Sequence, residues 1–365
     1  MINRRDFIKA IGIAAGGTTL TGLSGLANAA GSTAKGHIVV VGGGFGGATV
    51  AKYLRMWSQG SVDVTLIERN TRFVSCPISN LVIGGLQQMD DITVSYDNLR
   101  ENWGVKVITD EVTALDPDKR MVTTARHGTL GYDRVVLSPG IDFIPGAVAG
   151  LDGNEELVPH AWKAGPQTAL LRKQLEDMPD GGVFALTIPR APYRCPPGPY
   201  ERACLVANYL RDTKPKSKVL VLDANDEIQS KKGLFTKAFE SYGALLEYVP
   251  GSKLEGVDAA SRKARLEFDE IKADVLNVIP PMRAGNIAAQ AGLPLINERW
   301  VDVEWLSMEA KGVPGVHVIG DAIFPAPTMP KSGHMANQHG KLVAAAILNL
   351  LEGKAPNAAP VLMNT

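Results

Sequence analysis

The chain has 365 residues, with 38 Lys+Arg against 38 Asp+Glu, 45% hydrophobic and 21% charged residues. That length allows two domains, and that balance builds an ordinary globular core. Zero net charge with no basic run excludes nucleic acid as a partner class.

The first 29 residues read as a twin-arginine leader. Asn3-Arg4-Arg5-Asp6-Phe7-Ile8-Lys9 precedes a mildly apolar stretch, and Ala27-Asn28-Ala29 offers a small-x-small cleavage site. The stretch is rich in Gly and Thr, so no stable membrane anchor is expected. The expected compartment is the bacterial periplasm. A strand is predicted at residues 37–41, a glycine turn at 42–47, a helix to about residue 56 and a strand at 62–68, a βαβ unit. Further strands are predicted at 105–109 and 134–138, with a hairpin turn at Asp116-Pro117-Asp118. A second α/β unit follows: a helix at 167–178, a strand ending near Ile188, a helix at 200–211 and a strand at 218–223. Residues 274–281 lead back, 315–321 form a late strand, and a helix spans 332–352. The expected fold class is α/β, with two Rossmann-like dinucleotide-binding domains. The expected division is a first domain over 36–150, a second over 151–284, a return to the first over 285–355, and the start of a truncated C-terminal segment at 356–365.

Gly42, Gly44 and Gly47 form a G-x-G-x-x-G turn around Phe45, after a strand and opening a helix. The first glycine permits the tight turn, the second admits a pyrophosphate, and the third allows close helix–strand packing. Glu68, followed by Arg69, closes the second strand, where a carboxylate accepts ribose hydroxyls. Tyr132-Asp133-Arg134-Val135-Val136-Leu137-Ser138-Pro139-Gly140 resembles the segment that closes the FAD domain of two-domain flavoprotein reductases. Val316 to Asp321 resembles their second FAD motif, with Gly320 and Asp321 at the ribityl chain; the plainer reading of Asp321 is a helix cap. The cofactor expected is FAD. The second Gly-rich turn that NAD would need is missing after the strand ending near Ile188, and none precedes Val219 to Asp223, so no NAD is expected. No Cys-x-x-Cys-His occurs, so this chain itself holds no haem, and no metal-ligand spacing is present.

Three cysteines occur, Cys76, Cys195 and Cys204. Cys195 lies in Arg194-Cys195-Pro196-Pro197-Gly198-Pro199-Tyr200-Glu201, where the NAD turn would sit. Together with the glycine turn, the Cys76-Pro77-Ile78-Ser79-Asn80 loop, Pro159-His160-Ala161-Trp162-Lys163-Ala164-Gly165 and Met329-Pro330-Lys331-Ser332-Gly333, this loop resembles the flavoprotein subunit of flavocytochrome c sulfide dehydrogenase. That family is related to the sulfide:quinone oxidoreductases, and the resemblance spans nearly the whole chain after the leader.

The resemblance implies hydrosulfide as substrate, a c-type cytochrome subunit or soluble cytochrome c as acceptor, and FAD bound covalently through Cys76. It implies that Cys195 is half of a redox disulfide whose other half lies beyond the last helix. No cysteine follows Cys204, so truncation short of it is expected. Arg190, Arg194 and Arg202 are candidates to hold a thiolate or draw an anion, or else form a solvated rim. Cys204 reads as core. Glu201, Lys331 and His334 are candidates for the base, and each also reads as a surface residue. The alternative functions are a sulfide:quinone oxidoreductase and a flavin-binding electron-transfer partner without turnover.

Overall fold

The computed structural model describes Ser32 and residues 34–360. The twin-arginine leader expected at residues 1–29 lies outside the described residues, as do residues 361–365. Two parallel sheets dominate. Strand Gly36–Val41 pairs in parallel with Val62–Glu68 on one side and Arg134–Leu137 on the other. Ile38, Val39 and Val40 are fully buried as a result, which is why this run is apolar without alternation. Lys106–Thr109 and Val316–Val318 extend the sheet at its flanks, and the short pairs Val303–Glu304 and Glu309–Ala310 complete seven strands. Helix Phe45–Trp57 covers one face through Val50, Ala51, Leu54 and Trp57. The last helix, Gly333–Leu351, is capped by the Ser332 side chain, which accepts the Met335 N–H at 3.1 Å. It crosses the first helix so closely that a β-carbon on Gly340 would stand 2.9 Å from the Gly46 carbonyl.

The second sheet has four parallel strands in the order Leu246–Val249, Lys218–Asp223, Val183–Ile188 and Val275–Val278. Helices Pro166–Asp177 and Gly198–Thr213 flank it. The chain passes between the sheets at Ile141–Phe143 and returns at Met282–Ala284, and these two strands pair antiparallel. Three-stranded antiparallel sheets fill the connections at residues 112–131 and 254–272. The α/β class with two Rossmann-like units expected from the sequence is therefore the one observed.

Candidate active site

A cleft of about 750 Å³ opens at the carboxyl ends of the first sheet's strands, the crevice where open α/β sheets bind ligands. Gly42, Gly44, Glu68, Arg69, Cys76, Pro139 and Gly140 line it. Each glycine of the turn has its own steric reason. Gly42 has φ +95°, and a β-carbon there would lie 2.4 Å from the Ser138 carbonyl. A β-carbon on Gly47 would lie 1.8 Å from the Gly42 carbonyl. At Gly44 a β-carbon would meet nothing within 4 Å. Gly42 therefore serves the tight turn against the end of the neighbouring strand, Gly47 the packing of the helix on that turn, and the middle glycine faces the open cleft. Glu68 Oε2 accepts the Gly43 N–H at 2.7 Å, and Oε1 accepts the Asn70 N–H at 2.9 Å. Oε1 also accepts the Asn70 Nδ2–H at 2.8 Å, so it is Oε2 that keeps a further lone pair for a hydroxyl. Phe45 does not line the cleft; its ring meets Phe73 edge-on at 5.2 Å and covers Gly333 at the start of the last helix.

Cys76 reaches the cleft from the loop ahead of the short helix Ser79–Ile83, and its sulfur accepts the Ala164 N–H at 3.3 Å. Lys163, Ala164 and Gly165 form the facing wall. Gly320 is buried with φ +72° at the turn after Val316–Val318. The next residue, Asp321, has a buried Oδ1 with no hydrogen-bond partner among the described residues. Its pKa is raised by burial, while Arg194 and Lys331 pull it down. An acceptor left unsatisfied in this way is costly, so the position is prepared for a donor.

Lys331 is 4% exposed and donates to the carbonyls of Asp321 at 3.0 Å and Ile323 at 2.5 Å. Its Nζ lies 3.6 Å from the centroid of the Trp300 ring. Burial pushes Lys331 down to about 7, and Asp321 opposes that shift. The Lys331 carbonyl accepts the Cys195 N–H at 2.7 Å, so the two candidate residues are tied backbone to backbone. Cys195 has φ +58°, unusual for a residue with a β-carbon, and its carbonyl accepts the Gly198 N–H at 2.9 Å. Burial pushes its thiol up to about 11, opposed by Arg194. Arg194 spans both regions, since it also lines the cleft and donates to the Trp162 carbonyl.

The three arginines separate. Arg190 is exposed. Arg202 is 1% exposed and neither a solvated rim nor an anion trap. Its guanidinium is spent on Asn80 Oδ1 at 3.0 Å, His160 O at 3.0 Å, Asn277 Oδ1 at 2.8 Å and Ala161 O at 2.7 Å. It holds together loops that converge from both domains. Glu201 is exposed and accepts from Asn80 Nδ2 at 2.9 Å, outside the cleft lining. His334 is exposed in the first turn of the last helix. Cys204 is partly buried against the core, its thiol also pushed up to about 11 by burial. None of the three cysteines is in a disulfide. Among the described residues no cluster of His, Cys, Asp or Glu could hold a metal ion, and no helix is long and apolar enough to cross a membrane.

The second sheet's crevice differs from the first. Asp223, at the end of Lys218–Asp223, is fully buried and accepts from the hydroxyls of Tyr200 at 2.7 Å and Tyr248 at 3.0 Å. These contacts were not anticipated from sequence, although Asp223 ends its strand as Glu68 ends the corresponding strand of the first unit.

Residues 168–280 match the model of the central region of the sulfide dehydrogenase [flavocytochrome c] flavoprotein chain, and residues 36–177 match the pyridine nucleotide-disulphide oxidoreductase model. The sulfide dehydrogenase [flavocytochrome c] flavoprotein chain of Chlorobaculum thiosulfatiphilum is 62% identical over 46 residues, 13% of this chain and 94% of that sequence. The mitochondrial sulfide:quinone oxidoreductase of Dictyostelium discoideum is 24% identical over 298 residues, 78% of this chain and 64% of its own length. Among solved structures, the sulfide:quinone oxidoreductase of Aquifex aeolicus superposes with a TM-score of 0.76 at 20% identity, covering 88% of this chain and 78% of that one.

Proposed function

The chain belongs to the family of the flavocytochrome c sulfide dehydrogenase flavoprotein chain, among the sulfide:quinone oxidoreductase-like flavoproteins, and on that premise we propose that it oxidises hydrosulfide with bound FAD and passes the electrons to a c-type cytochrome in the periplasm. The observation that carries this reading is the placement of Cys195. A partly buried cysteine stands where the second domain's phosphate turn would be, its backbone N–H tied to Lys331 and its neighbour Arg194 lining the cleft.

The residues present fit FAD. The open side of Gly44 and the uncapped N-terminus of helix Phe45–Trp57 suit a pyrophosphate. Glu68 suits the ribose hydroxyls, and the unpartnered Asp321 Oδ1 suits a ribityl hydroxyl. FAD supplies acceptance of an electron pair from sulfur and its release one electron at a time. The N-terminus of the last helix favours negative charge beside it. Arg194 draws an anionic donor towards Cys195, and Lys331 fixes the Cys195 backbone. NAD has no part in this reading, because Tyr200 and Tyr248 occupy the Asp223 carboxylate that a nicotinamide nucleotide's ribose would need.

The acceptor is tested by supplying sulfide with cytochrome c or with a short-chain quinone. Cytochrome c is expected to be reduced faster by about tenfold, a barrier difference of about 1.4 kcal/mol. The similarity to the Dictyostelium sulfide:quinone oxidoreductase favours a second reading, with quinone as acceptor, and quinone reduction at an equal or higher rate would establish it instead.

Cys76 is proposed to carry the flavin covalently. Its sulfur lines the cleft, which supports that role. Acid precipitation of the loaded protein is expected to leave the yellow colour in the pellet, and Cys76→Ser to move it to the supernatant. Colour in the supernatant of the unaltered protein would remove the covalent assignment.

A further inference from the structure

The chain builds the strand–turn–helix–strand unit twice, and the second copy is put to a different use. In the first, Val62–Glu68 ends in a carboxylate beside an open cleft. In the second, Val183–Ile188 runs into a proline-rich loop, helix Gly198–Thr213 follows, and Lys218–Asp223 ends in Asp223. The Asp223 carboxylate is saturated by the protein. Oδ2 accepts the two tyrosine hydroxyls already described, and Oδ1 accepts the Asn225 N–H at 2.9 Å and its Nδ2–H at 2.7 Å.

Tyr200 is fully buried in the first turn of its helix. Its hydroxyl also accepts the Gln229 N–H at 3.1 Å. Its ring packs against Phe235 at 5.6 Å and Tyr248 at 6.4 Å. Tyr193, 2% exposed, shares its hydroxyl proton between Tyr200 Oη at 3.4 Å and the Pro196 carbonyl at 3.3 Å. A continuous line of hydrogen bonds thus runs from Asp223 through Tyr200 and Tyr193 to the Pro196 carbonyl beside Cys195.

We propose that Tyr193 and Tyr200 are positioning residues for Cys195, and that a carboxylate placed to hold a nucleotide ribose serves here to anchor the loop that carries the reactive sulfur. The Cys195 backbone is in the left-handed region, which residues with a β-carbon seldom adopt unless their surroundings enforce it. Lys331 enforces it from one side. The tyrosine line enforces it from the other, by holding the Pro196 carbonyl. The proposal rests on Cys195 being the sulfur-handling thiol proposed above.

The test is the pH profile of Cys195 alkylation by iodoacetamide in the FAD-loaded full-length protein, resolved from Cys76 and Cys204 by peptide mass spectrometry. Arg194, Arg202, Glu201 and Asp321 are the charged groups coupled to the Cys195 thiol, and all four are kept. Tyr193→Phe and Tyr200→Phe are each expected to move the midpoint down by about one pH unit, about tenfold in rate at mildly alkaline pH, as the freed loop gains solvent. Tyr248→Phe removes a hydroxyl from the same carboxylate but has no hydrogen bond to the loop, and it is expected to leave the midpoint in place. An unmoved midpoint in both loop-side variants, or an equal shift in Tyr248→Phe, would overturn the proposal. If one loop-side variant fails to fold, the other decides. Bleaching of the flavin by sulfide, followed in parallel, tests the sulfide reading on its own. Its absence in the unaltered protein would defeat that reading while the alkylation profiles still report the positioning.

Discussion

Gly44→Val, made in the Cys76→Ser background so that no covalent bond retains the flavin, is expected to give a folded protein that binds FAD at least about 100-fold more weakly, a loss of about 2.7 kcal/mol. Gly44 has φ −72°, so a β-branched residue is not strained there by a positive φ. No protein atom lies within 4 Å of the added β-carbon, so the fold has nothing to rearrange. The new side chain would instead stand in the cleft, where a pyrophosphate must approach the helix N-terminus. Gly47→Ala is the contrasting change. Its β-carbon, 1.8 Å from the Gly42 carbonyl, must push helix from strand and should cost roughly 1–3 kcal/mol of stability, or more. Visible absorbance per protein and thermal melting separate the two effects. Gly44→Val with a full complement of flavin would show that the cleft is not the pyrophosphate site.

The nucleotide half of the molecule was legible because its signals are local. Consecutive valines report a strand buried on both faces, and the spacing of Gly42, Gly44 and Gly47 reports a turn whose constraints all lie within a few residues. The short strands at 254–272 and 303–310 carry no such pattern, since two- to five-residue elements complete too few repeats to show a period. Arg202 shows the limit most clearly. Beside Arg190 and Arg194 it reads as part of an exposed basic cluster. In the fold its partners are Asn80, His160, Ala161 and Asn277, drawn from three distant segments. Nothing near Arg202 in sequence encodes that convergence, and only tertiary packing turns a charged residue into a buried clasp. The alanine variant would leave two side-chain amides and two carbonyls short of a donor, the costly outcome for buried polar groups. Tyr200 and Asp223 are an intermediate case. Asp223 ends the strand expected at 218–223, and Tyr200 lies in the cysteine loop motif, but neither pattern reports that the ring of one meets the carboxylate of the other.

Cys195→Ser should lower sulfide-dependent cytochrome reduction by at least about 10³-fold, equivalent to about 4 kcal/mol in the barrier. Serine is nearly isosteric, so the loop, its bonds to Lys331 and Gly198, and the flavin cleft should all survive, and flavin content should not change. What is lost is a sulfur that can bond to sulfur. The thiol's own titration gives a second check. Burial holds its folded pKa up at about 11, above the ordinary value of 9.0. The native protein therefore keeps this proton through pH 9, where an exposed cysteine is already half ionised. Between those values the unfolded chain releases a proton that the fold retains, so this group's stabilising contribution falls as pH rises from about 9 to about 11. Alkylation of Cys195 should accelerate over the same interval. Cys204 is the internal control. Its thiol is raised to about 11 by burial too, but it lies within helix Gly198–Thr213 rather than in the loop tied to Lys331 and next to the cleft-lining Arg194. Cys204→Ser should leave turnover within about twofold, less than 0.5 kcal/mol. If Cys195→Ser kept more than about a tenth of the native rate, a difference of only 1.4 kcal/mol, sulfur would have to reach the flavin without passing through this loop. The buried anchor beneath it would then have no catalytic role.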